Sequence, residues 1–267
     1  MRAEYRIDRL KEGHVQKRWA VCGVVAWVLA LLPMSAWAQN TAFGTSVHML
    51  VGQTPMVVTL PTSTPDRFYD APVVGGRSYC AEATGAETEV NQTDPVLVVY
   101  RNDQTTTLGT DTGTTTEPKG QTAARVCFIA PASEQLVYMK LSPNTGFADL
   151  AYTLRFVETT LWANWYFVVG DYSSFTLLRN TTNTAVNYTA VWRSSSGTNV
   201  GTSSGSIAGN GIVAINARSI AGALASGSGS VELAHDGSPE AIVGSQTTLS
   251  GGTGLSFDTI FFQRRAW

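Results

Sequence analysis

Short apolar runs alternate with turn residues along most of the chain, and no long stretch repeats apolar residues at the 3.6-residue spacing of a helix. Such a pattern is typical of an all-β protein built from sandwiches. In the first half, strands are predicted at residues 48–51, 55–60, 67–72, 77–83, 95–101, 125–130, 135–141 and 150–157. In the second half, they are predicted at residues 164–169, 174–179, 185–193, 211–216, 230–235, 240–249 and 255–262, with one helical turn within 217–224.

Alternation inside a strand assigns its side chains to one face or the other. The residues of AVNYTAVWR that we expect to be in a core are Val186, Tyr188, Ala190 and Trp192. Trp165, Phe167 and Val169 share a face in the same way. Residues 105–122 and the Ser/Gly-rich residues 194–210 carry few apolar side chains, so both stretches are predicted to be loops.

The N-terminus is predicted to be a secretory signal peptide that spans residues 1–38. A basic start precedes the uncharged apolar run Trp19–Pro33, and Ala36 and Ala38 have the spacing that signal peptidase requires. The apolar run is short for a spanning helix, which needs about 20 residues. We therefore expect an exported protein in the periplasm, at the cell surface or outside the cell, with no integral membrane span after cleavage.

The remaining 229 residues carry 12 basic and 17 acidic side chains, a net charge of −5. This balance argues against a nucleic-acid partner. Cys80 and Cys127 are the two cysteines left after cleavage, and an exported protein is expected to pair them as a disulfide. Two buried free thiols are the alternative. The length suits two sandwich domains, predicted at residues 39–158 and 159–267.

Three segments of the first domain carry a family resemblance. DRFYDAPVVGGRSYCAEA, DPVLVVYRNDQTTTLGTDTG and LAYTLRF resemble the bacterial pre-peptidase C-terminal domain over residues 45–157. The resemblance implies a jelly-roll-like β-sandwich of the kind attached to secreted hydrolases, where it assists binding, stability or secretion. The cysteine pair is not part of that family pattern. The second domain, expected to be an immunoglobulin-like sandwich, resembles segments of uncharacterised secreted bacterial proteins, and no function is carried over from them.

Catalytic motifs are weak in this sequence. Residues 201–205, GTSSG, match the nucleophile motif G-x-S-x-G, but no helix is predicted after Ser203. Glu232 and His235 are three positions apart on a predicted strand, so they face opposite sides of the sheet. Zinc needs about four Cys or His ligands, and with the two cysteines paired the mature chain has only His48 and His235, which are expected in different domains. We therefore predict a protein that is not an enzyme and that needs no cofactor.

Two kinds of ligand site remain as candidates. Asp94, Asp103 and Asp111 flank the long polar loop and supply the oxygen ligands that calcium prefers, although a solvated loop is the simpler interpretation. Trp162 and Tyr172 lie near strand ends, where an exposed ring would stack on a sugar.

The segment VELAHDGSPEAIVGS is predicted to be a hairpin, because Asp236-Gly237-Ser238-Pro239 has turn composition. His235 then either packs beneath the loop or stands exposed beside Asp236 at a binding surface.

These observations predict an exported binding or accessory protein whose ligand is a polysaccharide or another protein. A structural or adhesive role through protein–protein contacts, including strand addition at a sheet edge, is the alternative. An atypical secreted hydrolase is a more distant one.

Overall fold

The structure is a computed structural model that describes residues 41–60, 66–85, 95–112, 123–143, 150–220 and 227–265. The predicted signal peptide and Asp94 lie outside these residues. Eighteen strands are present in the described part: β1 (Val47–His48), β2 (Met56–Leu60), β3 (Arg67–Pro72), β4 (Ser78–Gly85), β5 (Pro95–Tyr100), β6 (Thr107–Asp111), β7 (Ala123–Ile129), β8 (Leu136–Pro143), β9 (Leu150–Glu158), β10 (Leu161–Val168), β11 (Tyr172–Asn180), β12 (Val186–Ser194), β13 (Asn199–Ile207), β14 (Ile212–Asn216), β15 (Gly227–His235), β16 (Ile242–Ser250), β17 (Ser256–Phe261) and β18 (Gln263–Arg264).

The strands form four sheets that pack as two sandwiches, which confirms the all-β prediction. The first sheet has the order β1-β3-β8-β5-β6, and the second has the order β2-β9-β4-β7. The third sheet has the order β13-β12-β15-β10-β18, and the fourth has the order β14-β11-β16-β17. Single 3-10 turns lie at Phe43–Thr45 and Ala217–Ser219, the latter inside the stretch predicted to form a helical turn.

Alternating burial along the strands builds one apolar core for each sandwich. β5 alternates buried and half-buried side chains throughout, as a strand with one covered face should. In the first core, the rings of Tyr79 and Phe156 stack with their centroids 5.5 Å apart. In the second core, Trp192 is fully buried, as its position in AVNYTAVWR predicted. No helix among the described residues has the length and hydropathy that a membrane crossing requires.

A disulfide joins the edge strand β7 of the second sheet to its neighbour β4. Cys80 of β4 lies directly opposite Cys127 of β7, their Cα atoms are 4.1 Å apart, and the two sulfurs are bonded. The predicted pairing is confirmed. The bridge closes a loop with a sequence separation of 47, which restricts the unfolded chain and stabilises the fold by about 4 kcal/mol in the chain-entropy description.

The two sandwiches lie in one compact unit and meet where β9 passes into β10. The amide of Thr159 donates to the carbonyl oxygen of Ser78 at 2.8 Å, and the amide of Ser78 donates to the hydroxyl of Thr160 at 3.0 Å. Arg77 then bridges the sandwiches, because it pairs with Glu158 at 3.5 Å and with Glu232 at 3.2 Å. These contacts tie the first sandwich to the third sheet.

Two stretches predicted to be loops contain strands instead. β6 lies within residues 105–122 and pairs with β5, and β13 lies within the Ser/Gly-rich residues 194–210 and pairs with β12. Both are edge strands, so backbone pairing with one neighbour forms them without a buried apolar face. The strand predicted at residues 48–51 is limited to Val47–His48, which pairs in parallel with β3.

Candidate functional site

A β-bulge in β10 determines which of its side chains leave the core. Ala163 pairs with Val231 of β15, but the next pair joins Tyr166 to Gly229, so one extra residue stands on β10. The core side chains of β10 are Leu161, Ala163, Tyr166 and Val168. Because the bulge shifts the alternation, the remaining side chains share the outward face. These are Trp162, Asn164, Trp165 and Phe167.

Four rings form an aromatic cluster at the end of this outward face. Its members are Trp165, Phe167, Tyr172 and Phe257. The ring centroids of Trp165 and Phe167 are 5.6 Å apart, and those of Tyr172 and Phe257 are also 5.6 Å apart. Phe257 is 59% exposed and Tyr172 is 37% exposed. Mutual contact therefore holds each ring in place while part of the cluster faces solvent.

Polar contacts fix the backbone beneath the cluster. The amide of Phe167 donates to the hydroxyl of Ser174 at 2.8 Å, and that hydroxyl donates back to the carbonyl oxygen of Phe167 at 3.1 Å. Arg218 donates to the carbonyl oxygens of Gly170 and Tyr172 at 2.9 and 2.6 Å, which closes the turn between β10 and β11. The site is therefore built on paired strands rather than on a free loop.

Asp171 anchors the same turn to the loop that precedes β17. Its carboxylate accepts a hydrogen bond from the hydroxyl of Ser250 at 2.9 Å and another from the amide of Gly252 at 3.1 Å. The hydrogen bond from Ser250 makes the largest contribution to lowering the pKa of Asp171 below its ordinary value. The anchor is therefore ionised at neutral pH and holds the two loops beside the cluster together.

The other end of the outward face opens into a pocket of about 400 Å³. Its lining residues are Arg77, Trp162, Asn164, Gln263, Arg264 and Arg265. The guanidinium of Arg77 lies over the Trp162 ring, 5.0 Å from its centroid, which is a cation–π contact. Among the described residues, the buried Nε1 of Trp162 has no hydrogen-bond partner. The pocket thus combines an aromatic wall with guanidinium and amide donors.

The residues predicted to bind ligand are not brought together as one group. Trp162 lines the arginine pocket, and Tyr172 belongs to the aromatic cluster. Trp165, Phe167 and Phe257 were missed, because alternation placed the first two with a core face and the bulge that turns them outward has no sequence signal. Aromatic richness near Tyr172 was the only available pointer.

In the segment VELAHDGSPEAIVGS, β15 ends at His235 and β16 begins at Ile242, but the two strands lie in different sheets and do not pair, so the hairpin prediction is wrong and the segment connects the third sheet to the fourth. His235 is fully buried, so its interpretation as an exposed binding residue is wrong. Burial lowers its pKa to about 4, although Asp236 and the backbone of Gly237 act in the opposite direction. The carboxylate of Asp236 accepts hydrogen bonds from the amide and the side chain of Asn187 at 2.8 and 2.7 Å, and it therefore ties the connection after β15 to β12.

Residues 201–205 do not have the geometry of a nucleophile elbow. Ser203 lies in the middle of β13 and pairs with Ala190, with no turn into a helix after it. Glu232 binds Arg77 and Arg193, on the side of β15 opposite to His235. The parts of the weak hydrolase pattern are therefore engaged in structural roles.

The calcium candidates are held by local hydrogen bonds. Asp103 accepts bonds from the hydroxyl of Thr106 at 2.6 Å and from the amides of Thr106 and Thr105 at 2.7 and 2.9 Å, and these bonds lower its pKa. Asp111 accepts a bond from the amide of Arg125 at 2.8 Å. In the part of the chain that the structure describes, no three His, Cys, Asp or Glu side chains are grouped so as to hold a metal ion. Calcium binding remains a prediction.

Comparisons with known proteins give little beyond the architecture. No family model matches the chain, and no curated protein matches it. A β-glucuronidase from Bacteroides uniformis is similar with 10% identity and a TM-score of 0.22, over 76% of this chain and 26% of that one. A glycoside hydrolase family 2 β-glucuronidase is similar with 9% identity and a TM-score of 0.21, over 74% of this chain and 23% of that one. The chain spans about a quarter of these enzymes, and likenesses this slight carry no inference about activity.

Proposed function

We propose that this chain is an exported, non-enzymatic binding module that takes a glycan chain along the outward face of β10. The observation that carries the proposal is the aromatic cluster, which is partly exposed and held rigidly beside the arginine pocket on the same strand. The disulfide between Cys80 and Cys127 supports export, because such bonds persist in oxidising compartments.

The outward face has the dimensions and chemistry of a glycan platform. Trp162 and Phe167 are five residues apart on β10, which corresponds to about 16 Å at about 3.3 Å per residue. The C–H faces of sugar rings are apolar and pack flat on aromatic rings, while their hydroxyls stay at the edge in water. A linear glycan laid along the strand therefore meets rings at the cluster and again at Trp162.

The pocket end favours acidic sugars over neutral ones. Arg264 and Arg265 line it with guanidinium groups, whose planar forks match carboxylate and sulfate oxygens, while Arg77 is engaged by Glu158 and Glu232. Among the described residues, Arg264 is ion-paired only with Glu240, at 3.4 Å, and the Glu240 side chain is 86% exposed. Asn164 and Gln263 add amide groups for sugar hydroxyls. We therefore expect a uronate- or sulfate-bearing glycan to bind more tightly than its neutral counterpart.

The test is a binding assay with soluble and insoluble glycans in matched acidic and neutral forms. The Tyr172→Ala and Phe257→Ala variants should each weaken binding by about 1 kcal/mol, because each removes one ring from the cluster. Arg264→Gln should lower affinity for acidic glycans and leave neutral ones unchanged.

Val74→Ala is the matched control, since Val74 is an exposed apolar side chain of the first sandwich. It should bind as the unmodified protein does. Absence of binding to every glycan in the series, or equal binding by Tyr172→Ala and the unmodified protein, would contradict the proposal.

A structural or adhesive role is the second candidate function. It is favoured by a separate observation, the large apolar side chains that the fourth sheet exposes on its outer face. That surface is chemically unlike the outward face of β10, and the two roles are compatible on one chain.

A further inference from the structure

The outer face of the fourth sheet exposes large apolar side chains to solvent, among them Leu177, Ile212 and Phe261. Strand register defines it, because residues paired across a sheet point to the same side. Leu178 points inward into the second core, so Leu177 and Arg179 point outward, and their partners follow. The outer face consists of Phe175, Leu177, Arg179, Ile212, Ala214, Asn216, Val243, Ser245, Thr247, Thr259 and Phe261.

Several large apolar side chains on this face are exposed to solvent, whereas a solvated face of a sheet usually carries polar side chains. Phe261 is 72% exposed, Ile212 is 66% exposed and Val243 is 51% exposed. Arg179 is the one charged side chain among the eleven residues of the face. Contiguous apolar surface of this kind is rare on monomeric proteins and marks a contact with another molecule.

We propose that a second copy of this chain packs on the outer face of the fourth sheet, face to face, about a two-fold axis that runs along the strands between β11 and β16. Such an axis places β17 of one copy over β14 of the other, and β16 over β11. Two sheets that pack with nearly aligned strands are a common arrangement in sandwiches.

Side-chain size along the rows makes this arrangement self-complementary. One row across the sheet contains Ala214, Leu177, Ser245 and Phe261, in the order β14, β11, β16, β17. The two-fold axis sets Phe261 against Ala214 of the second copy, and Leu177 against its Ser245. The next row sets Phe175 against Thr247. Large side chains of one copy therefore meet small side chains of the other, as interdigitated packing requires.

Charge does not oppose the contact. The axis sets Arg179 against Val243 of the second copy, in the row that ends the face at Ile212. The aliphatic stem of an arginine covers apolar surface while its guanidinium stays in water at the rim. No pair of like charges is brought together within the face.

The area of the face determines the strength of the expected dimer. Its four strands have 5 to 9 residues. The defined face runs five residues along the strands, so at about 4.8 Å between strands and about 3.3 Å per residue it covers about 320 Å², and two copies bury about 600 Å². Stable interfaces bury about 1,200 Å² or more. We therefore expect a weak, reversible dimer with a dissociation constant on the order of 0.1 mM.

Sedimentation equilibrium over a wide concentration range tests the proposal. The unmodified protein should show a monomer–dimer equilibrium, and Phe261→Lys and Leu177→Lys should each weaken it at least tenfold. Val57→Lys is the matched control, since Val57 is 75% exposed on the first sandwich, and it should leave the equilibrium unchanged. A protein that stays monomeric at all concentrations, or a dimer that tolerates Phe261→Lys, overturns the proposal.

A size swap tests the geometry itself. Ala214→Phe alone should weaken the dimer because two large rings then face each other, and Phe261→Ala alone should weaken it because a gap opens. The double variant exchanges the large and the small side chain within the same row, so it should recover most of the affinity of the dimer. If the double variant is instead as weak as the two single effects combined, the face-to-face arrangement is wrong.

Discussion

Protonation of His235 should destabilise the protein in a defined pH range. The ring lies at the end of β15 and is fully buried. Burial is the main cause that lowers its pKa to about 4. The neighbouring charges act in opposite directions, because Asp236 raises the pKa and Arg264 lowers it.

The sign and size of the effect follow from the difference between the folded and unfolded states. In the unfolded chain, His235 takes up a proton near its ordinary pKa of about 6.5, whereas in the folded chain it stays neutral down to about pH 4. Between these values only the unfolded state binds the proton, so the free energy of unfolding falls as the pH falls. The loss begins near pH 6.5 and reaches about 3 kcal/mol near pH 4, below which this group adds no further loss.

Urea unfolding at pH 7 and pH 4.5 measures how much free energy of unfolding is lost on acidification. Comparison with a His235 variant separates the contribution of His235 from that of the carboxylates. His235→Leu should lose about 2–3 kcal/mol less than the unmodified protein between the two pH values, because leucine cannot take up a proton. The control His48→Gln removes an exposed histidine of the first sandwich and should keep the full loss. If His235→Leu and the unmodified protein lose the same free energy, the buried neutral state of His235 is refuted.

Three further predictions concern the framework. Replacing both disulfide cysteines with serine should lower the free energy of unfolding by about 2–5 kcal/mol in urea titrations without reductant. Gly229→Ala should unfold at a markedly lower temperature, because a Cβ would overlap the carbonyl oxygen of Arg193, whereas Gly44→Ala should be neutral because its Cβ would meet open space. Arg77→Met should cost about 3 kcal/mol by calorimetry, since it leaves the buried Glu158 carboxylate without its partner.

The core face of the central strands was predictable because their alternation is local. Tyr188 and Trp192 were expected on one face of β12, and both are buried in the second core. Each of these side chains follows a strict period of two, which the strand geometry converts directly into burial. The disulfide was predictable for a different reason, because the cysteine count and the predicted export left few alternatives.

The edge strands and the bulge were not predictable, because both depend on distant partners. β13 is rich in Ser and Gly and has no apolar alternation, so its strand conformation comes from pairing with β12. The bulge in β10 arises where its pairing with β15 shifts by one residue. This shift places Trp165 and Phe167 on the outward face, so the candidate site itself depends on a long-range register that local periodicity does not encode.

The two outward faces of the second sandwich carry unexpected side chains. The partly covered face carries charged residues, and the face that is exposed to solvent carries apolar ones. The third sheet is partly covered by the first sandwich, yet Glu232 is buried there and paired with Arg77 and Arg193. The fourth sheet is uncovered in the monomer, yet it presents Ile212 and Phe261 to solvent. Ion pairs suit the permanent contact between the two sandwiches of one chain, because both partners of each pair are always present. Apolar side chains of alternating size suit a contact between copies, and the small area of that contact is what makes the proposed dimer reversible.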